Sequence, residues 1–171
     1  MIPVSEKRIE DYINKFLTGD AHTNALGFVA YLRANEMEFE RYNKGYWEGK
    51  LYWRIKYKSE TVYYVLINSS DDTVPWIIWS DDSATNSFEN SLPNEQMKEI
   101  AWKNVDICRG NKCGGCNLGT GTPKTIFGKG FDSVCGTLFR FDNPDALAVE
   151  CTTTLMDIRK SDILNREREN L

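Results

Sequence analysis

Four of the five cysteines have the spacing of a thiolate metal site. Cys108, Cys113, Cys116 and Cys135 form the pattern C-x4-C-x2-C-x18-C. The two glycines between Cys113 and Cys116 permit positive φ angles, which would turn backbone N–H groups toward the sulfur atoms. Four thiolates complete the closed tetrahedral shell of a structural zinc ion. The spacing therefore predicts zinc bound by these four residues.

The same cysteines leave three alternatives open. Plant-type ferredoxins also use C-x4-C-x2-C with a distant fourth cysteine, and residues 108–116 resemble that loop, so an iron–sulfur cluster is the less favoured metal. Disulfides are disfavoured because the cysteine count is odd and nothing indicates secretion. Unligated thiols are the third alternative. In that case Cys108 or Cys113, near Arg109, would be a reactive thiolate in a redox protein or a cysteine-dependent enzyme.

The single histidine, His22, limits the catalytic chemistry available. Zinc and non-haem iron sites that need two or three imidazoles are excluded, and a Ser-His-Asp or Cys-His mechanism would depend on this one residue. We expect His22 at a helix boundary or on the surface. Cys151 falls on the apolar stripe of a predicted helix and is expected in the core.

Aromatic residues are concentrated between positions 46 and 79. Packing in the core or on a sheet face explains most of them, but tyrosine and tryptophan also form the walls of small-molecule pockets. Acidic residues are interleaved with them and would attract a positively charged group. The pattern predicts a site for a small flat or cationic organic ligand. Its candidate residues are Tyr46, Trp47, Trp53, Trp76 and Trp79, with Glu38 and Glu48 at the mouth.

The elements that would position these residues follow from hydrophobic periodicity. A helical period over residues 5–17, with Ser5 as N-cap, and a second over residues 23–36 predict an N-terminal helical hairpin. Alternation over residues 51–58 and 61–68 predicts two strands, the second central because both its faces are apolar. Residues 74–79 form a further strand that Pro75 places at an edge or a strand start, and residues 38–42 a weaker one.

The second half of the chain continues the same organisation. Residues 94–105 have a helical period, residues 125–127 and 134–141 form a hairpin, and a last helix begins at a cap formed by Asp142 or Asn143. From Arg159 onward the chain is polar and charged, so residues 159–171 are expected to form a frayed tail. The fold class is α+β: residues 1–171 form one domain, in which the N-terminal helical hairpin and further helices pack on one antiparallel sheet.

Composition agrees with a globular protein of 171 residues, of which 41% are hydrophobic and 27% charged. The net charge of −4 argues against a nucleic-acid partner. No apolar run reaches the roughly 18 residues that a membrane span requires, and the N-terminal residues lack the pattern of a signal peptide. We therefore expect a cytoplasmic protein without a membrane partner, and its oligomeric state stays open.

Several segments resemble a group of small bacterial α+β proteins with a CxxC loop, most of which have no assigned biochemical role. The likeness covers about two thirds of the chain and is most specific over residues 105–160. Its motifs are YWRIKY at 52–57, CGGC at 113–116, IFGK at 126–129, DSVC at 132–135 and FDNPD at 141–145. At the level of fold, these proteins are similar to gyrase-inhibitor-like effector-binding domains, which bind cationic or aromatic small molecules beside a sheet.

The resemblance implies a small-molecule-binding or accessory domain rather than an enzyme, and it transfers no catalytic residue. With the cysteine pattern, the expected function is ligand binding in a domain that a thiolate zinc site stabilises. A redox protein or cysteine-dependent enzyme is one alternative. A protein-interaction module that docks through the aromatic strands is the other.

Overall fold

The computed structural model describes residues 7–69, 74–80, 94–110 and 121–171. These residues form four α-helices packed on one seven-stranded antiparallel sheet, which confirms the α+β fold class and the adjacent N-terminal helices. The helices are α1 (Ile9–Phe16), α2 (Gly19–Ala34), α3 (Glu95–Lys103) and α4 (Ala146–Glu169). The strands are β1 (Glu38–Arg41), β2 (Leu51–Tyr57), β3 (Glu60–Ile67), β4 (Trp76–Ser80), β5 (Val105–Ile107), β6 (Thr122–Ile126) and β7 (Lys129–Asp142).

The sheet has the order β1-β2-β3-β4-β7-β5, and β6 pairs with the first half of β7. As predicted, β3 is central, and Pro75 stands immediately before the first residue of β4. The β2–β3 connection is a two-residue turn at Lys58 and Ser59, which both have positive φ, as the right-handed twist of a hairpin requires. Strand β5 was not predicted, because three residues carry too little pattern to show alternation.

The main core lies between the helices and one face of the sheet. Its centre contains fully buried side chains from α1, α2, β2, β4 and β7: Ile13, Phe28, Leu32, Ile55, Ile78 and Phe139. Aromatic rings lock α2 to the sheet, since Phe28 meets the Tyr63 ring edge-on at 5.9 Å. The Tyr63 hydroxyl in turn donates to the Thr152 carbonyl of α4 at 2.8 Å. The helices therefore occupy this face, which we call the inner face.

Two helix boundaries differ from the sequence prediction. The second helix begins at Gly19, whose φ is +58°, and not at residue 23. The last helix is capped by Asp145, whose carboxylate accepts from the Ala148 amide at 2.8 Å, and not by Asp142 or Asn143. The predicted N-cap of α1, Ser5, lies outside the described residues.

The C-terminal segment from Arg159, predicted as a frayed tail, continues α4 to Glu169. Ile163 is buried in the core, and Arg159 is also buried. The guanidinium groups of Arg159 and Arg166 both reach the Glu60 carboxylate at the start of β3, at 3.2 and 2.9 Å. The prediction of a frayed tail was wrong because charged side chains of this segment form ion pairs with the sheet instead of facing only water.

Among the described helices, none has the length and apolar character needed to cross a membrane.

Candidate ligand-binding face

The strand register divides the predicted aromatic residues between the two faces of the sheet. Trp53 pairs with Val65, which pairs with Ile78, and this row faces the helices. Trp53 and Trp76 are 3% and 1% exposed, and both belong to the main core. The structure therefore does not bring them together with Trp47 and Trp79, and their assignment to a ligand pocket is corrected to the core. Trp76 and Trp79 are separated because residues three apart in a strand point to opposite faces of the sheet.

The outer face carries a second cluster of rings, formed by Tyr42, Trp47, Tyr52, Tyr64 and Trp79, which we call the aromatic face. Tyr52 is at its centre, 5% exposed, with the Trp47 ring stacked on it at 3.9 Å and the Tyr64 ring at 5.7 Å. Trp79 meets Trp47 at 5.8 Å with planes inclined by 69°. The apolar side chains of Leu66 and Ile77 complete the layer beneath.

Trp47 reaches this face through a compact loop between β1 and β2. A short 3-10 helix, Gly45–Trp47, is closed by the Trp47 amide donating to the Lys44 carbonyl at 3.1 Å. Gly45 and Gly49 both have positive φ, +57° and +78°, a conformation that glycine adopts without strain. The Gly49 amide also donates to the Asn43 side chain at 2.6 Å. These turns place the Trp47 indole on the Tyr52 ring.

Among the described hydrophobic residues, five half-buried side chains pack against Tyr52, Leu66 and Ile77, and none of them belongs to an α-helix: Tyr42, Trp47, Tyr64, Val74 and Trp79. The outer face of a sheet with helices on one side is normally polar, so a layer of tyrosine, tryptophan, leucine and isoleucine there is unusual. Four of its rings are half-buried: Tyr42, Trp47, Tyr64 and Trp79. Tyr46, next to the cluster, is 53% exposed. Exposed apolar patches of this kind mark binding surfaces.

Cationic side chains lie over the rings of this face. The Lys50 ammonium is 3.4 Å from the ring centroid of Tyr46 and 5.1 Å from that of Trp47. The Arg54 guanidinium is 3.6 Å from the centre of the Tyr42 ring, and that of Arg140 is 5.4 Å from the centre of the Trp79 ring. The sequence prediction did not include these cations, although strand alternation places Arg54 on the same face as Tyr52.

The predicted acidic residues contribute less than expected. Glu38 and Glu48 are both exposed, at the start of β1 and just after the 3-10 helix. Glu40 is the acidic residue that contacts the cations: it accepts from Lys56 and lies 3.8 Å from Arg54. The hydrogen bond from Lys56 holds the pKa of Glu40 below its usual value.

A second carboxylate, that of Asp106, lies near Arg140, the cation over the Trp79 ring. Asp106, in β5, accepts a 2.6 Å hydrogen bond from the Thr137 hydroxyl of β7. Burial raises the pKa of Asp106, while this hydrogen bond and the nearby Arg140 and Arg109 act in the opposite direction. Arg140 itself donates through Nε to Asp142 at 2.7 Å. Arg140 therefore interacts with two carboxylates as well as with the Trp79 ring.

Two of the four predicted metal ligands, Cys113 and Cys116, lie outside the described residues. Cys108, which directly follows β5, and Cys135, in β7, are half-buried free thiols. Because the strands are antiparallel, they lie on opposite sides of the paired residues Ile107 and Val134. Within 7–69, 74–80, 94–110 and 121–171, no three potential metal-binding side chains of histidine, cysteine, aspartate or glutamate converge. The Gly110 amide does donate to the Cys108 sulfur at 3.4 Å.

The remaining candidate residues have structural roles. Cys151 is buried in α4 with its sulfur 3.7 Å from the Met97 carbonyl, and burial raises its pKa to about 12, so the core placement is confirmed. His22 lies in the first turn of α2, and its Nε2 is 2.8 Å from the Asn14 side chain of α1. That contact ties the two N-terminal helices together.

No protein-family model matches the chain, and no characterised protein or solved structure is significantly similar to it.

Proposed function

We propose that this chain is a small-molecule-binding or accessory domain whose ligand is a flat organic molecule held on the aromatic face. One observation carries the proposal: the outer face of the sheet presents Tyr42, Trp47, Tyr64 and Trp79 half-exposed around the buried ring of Tyr52. The four described α-helices pack on the inner face, so they do not cover these rings. Trp53 and Trp76 are outside this proposal.

Ring geometry supports a planar ligand in particular. The parallel rings of Trp47, Tyr52 and Tyr64 already form a stack across the loop and two strands, and each further flat ring that joins it gains about 0.5–1.5 kcal/mol beyond its area burial. Trp79 stands nearly perpendicular to Trp47 and so presents a wall beside the stack. Stacked rings with a perpendicular ring beside them favour a flat ligand, but they do not select one particular ring system.

The experiment is a titration with an uncharged planar probe, 1-pyrenemethanol, followed by energy transfer from tryptophan to pyrene. We expect saturable binding by the wild-type protein and strong loss of affinity in Trp79→Leu and in Tyr64→Leu. The matched control is Trp102→Leu, a half-buried tryptophan of α3 whose Nε1 donates to the Ile126 carbonyl at 2.8 Å, away from this face. No binding to folded wild-type protein would refute the proposal, as would unchanged affinity in both variants of the face.

We also propose a structural zinc site formed by Cys108, Cys113, Cys116 and Cys135. The spacing is its main basis, and the environment of Cys108 adds support. The Gly110 amide points at the Cys108 sulfur, and Gly110 has φ +67°. Amide-to-sulfur hydrogen bonds of this kind stabilise a thiolate, which is the form that binds metal.

Metal analysis of the purified protein tests this second proposal. We expect about one zinc per chain, and lower zinc content and thermal stability in Cys108→Ser because metal binding adds to the folding free energy. Cys151→Ser, which alters a core thiol, is the control and should retain zinc. Folded, zinc-free protein whose melting temperature does not respond to a chelator would exclude the site. Brown protein with visible absorption would instead indicate an iron–sulfur cluster.

A further inference from the structure

The charges around the aromatic face narrow the class of ligand. We infer that the ligand is an aromatic anion, a planar ring system bearing a carboxylate, sulfonate or phosphate group. This inference rests on the proposed function, since it concerns the same surface. It reverses the cationic ligand expected from Glu38 and Glu48 alone.

The first support is the position of the three cations. Three cationic side chains lie over three different rings: Lys50 over Tyr46, Arg54 over Tyr42 and Arg140 over Trp79. A cationic ligand gains from aromatic rings only where their faces are open to it. On this surface, cationic side chains of the protein already occupy positions over those rings. A positively charged ligand would therefore be repelled by these side chains.

The second support is the balance of charge among groups in contact. Lys50, Arg54, Lys56 and Arg140 contribute four positive charges, whereas three carboxylates lie near them: Glu40 and Asp142 in direct contact, and Asp106 close to Arg140. Lys56 and Arg54 share the one carboxylate of Glu40. Among the described residues, no carboxylate lies within ion-pair distance of the Lys50 ammonium. The chain has a net charge of −4, so an excess of positive charge here is local.

The third support is the geometry of the arginines. A guanidinium group is planar, stacks on aromatic rings and binds carboxylate or phosphate oxygens through several N–H donors. Arg140 contacts Asp142 through Nε at 2.7 Å while its guanidinium lies near the Trp79 ring. A ligand ring stacked beside Trp79 would therefore bring its anionic group within reach of an arginine.

Three pyrene probes that differ in charge test the inference: 1-pyrenecarboxylate, 1-pyrenemethanol and 1-pyrenemethylammonium, titrated at low salt by energy transfer from tryptophan. We expect the carboxylate to bind about fivefold more tightly than the neutral alcohol, and the ammonium to bind more weakly than both. Added salt should reduce the advantage of the carboxylate.

Lys50→Gln provides the site-specific test. It should lower affinity for the carboxylate severalfold and leave affinity for the alcohol unchanged, because the rings stay in place. Lys129→Gln is the matched control, since Lys129 also lies over a tryptophan ring, that of Trp102, but outside this face. Equal affinity for all three probes, or tighter binding of the ammonium, would overturn the anion inference while the proposed function stands. If none of the probes binds, the proposed function itself fails.

Discussion

The indole of Trp47 lies parallel to the phenol ring of Tyr52, with ring centroids 3.9 Å apart and planes inclined by only 6°. One ring comes from a loop and the other from a strand, so this contact fixes the loop on the sheet. It also buries Tyr52 on a face that carries no described α-helix. The loop conformation and the aromatic face therefore depend on each other.

Replacing Trp47 by alanine should remove this contact without unfolding the protein. We expect the free energy of unfolding to fall by about 1–2 kcal/mol, since an aromatic stack and part of its buried area are lost. Denaturant unfolding measures the change, and near-UV circular dichroism should lose signal from the stacked pair. Tyr46→Ala, in the same loop but largely exposed, should change stability by no more than about 0.5 kcal/mol. Equal effects of the two substitutions would show that the stack does not hold the loop.

The β6–β7 turn gives a prediction about backbone conformation. Gly128 has φ +82° and follows Phe127, which also has positive φ, as a tight hairpin requires. A Cβ at Gly128 would meet no atom within 4 Å, so Gly128→Ala should destabilise through backbone strain alone, by about 1 kcal/mol. Gly130→Ala is the control, because that glycine is equally open and has no positive φ. A thermal melt in which the two variants behave alike would contradict this account.

Hydrophobic periodicity predicted most of the fold. Alternation over residues 51–58 and 61–68 gave the central strands, and the register confirms that Trp53 and Ile55 share a face. The pattern works here because one face must be buried, so every second residue is constrained. It failed for β5, which is short, and for the end of α4, where charged side chains pair with Glu60.

The candidate site was only partly predictable. The aromatic density groups Trp47, Trp76 and Trp79, of which Trp47 and Trp79 lie 5.8 Å apart. Trp76 does not join them, because its separation of three residues from Trp79 puts the two on opposite faces of a strand. The density of aromatic residues is the basis of this grouping, whereas the alternation of side chains along the strand separates Trp76 from Trp79. The stack of Trp47 on Tyr52 was beyond prediction, because it depends on the φ angles of Gly45 and Gly49.

The ion pairs formed by the charged end of α4 should differ in their contribution to stability. Arg159 is 5% exposed, and Glu60 is one of the groups that neutralise it. Glu60→Gln leaves this buried cation with less compensation, and we expect a loss of about 1–3 kcal/mol in denaturant unfolding. Glu167→Gln is the comparison, since its ion pair with Lys58 is exposed on both sides, is screened by solvent and should contribute little to stability. A cost for Glu60→Gln as small as that of Glu167→Gln would argue against a buried charge at Arg159.

Asp106 should make the stability of the protein depend on pH. Burial raises its pKa in the folded state above the ordinary value of 3.8, so the folded protein holds this proton more strongly than the unfolded chain. The resulting stabilisation is fully present below that ordinary value, and it is lost as the pH rises through the folded-state pKa.

Asparagine at this position is neutral at every pH, and its side-chain oxygen can accept the hydrogen bond from Thr137. Asp106→Asn should therefore gain stability relative to the wild type as the pH rises from 4 to 7. Melting temperatures of both proteins across this range measure the difference, and Asp132→Asn, an exposed carboxylate of β7, controls for the loss of one surface charge. A difference between Asp106→Asn and the wild type that stays constant, or shrinks, with rising pH would show that burial does not govern this carboxyl group.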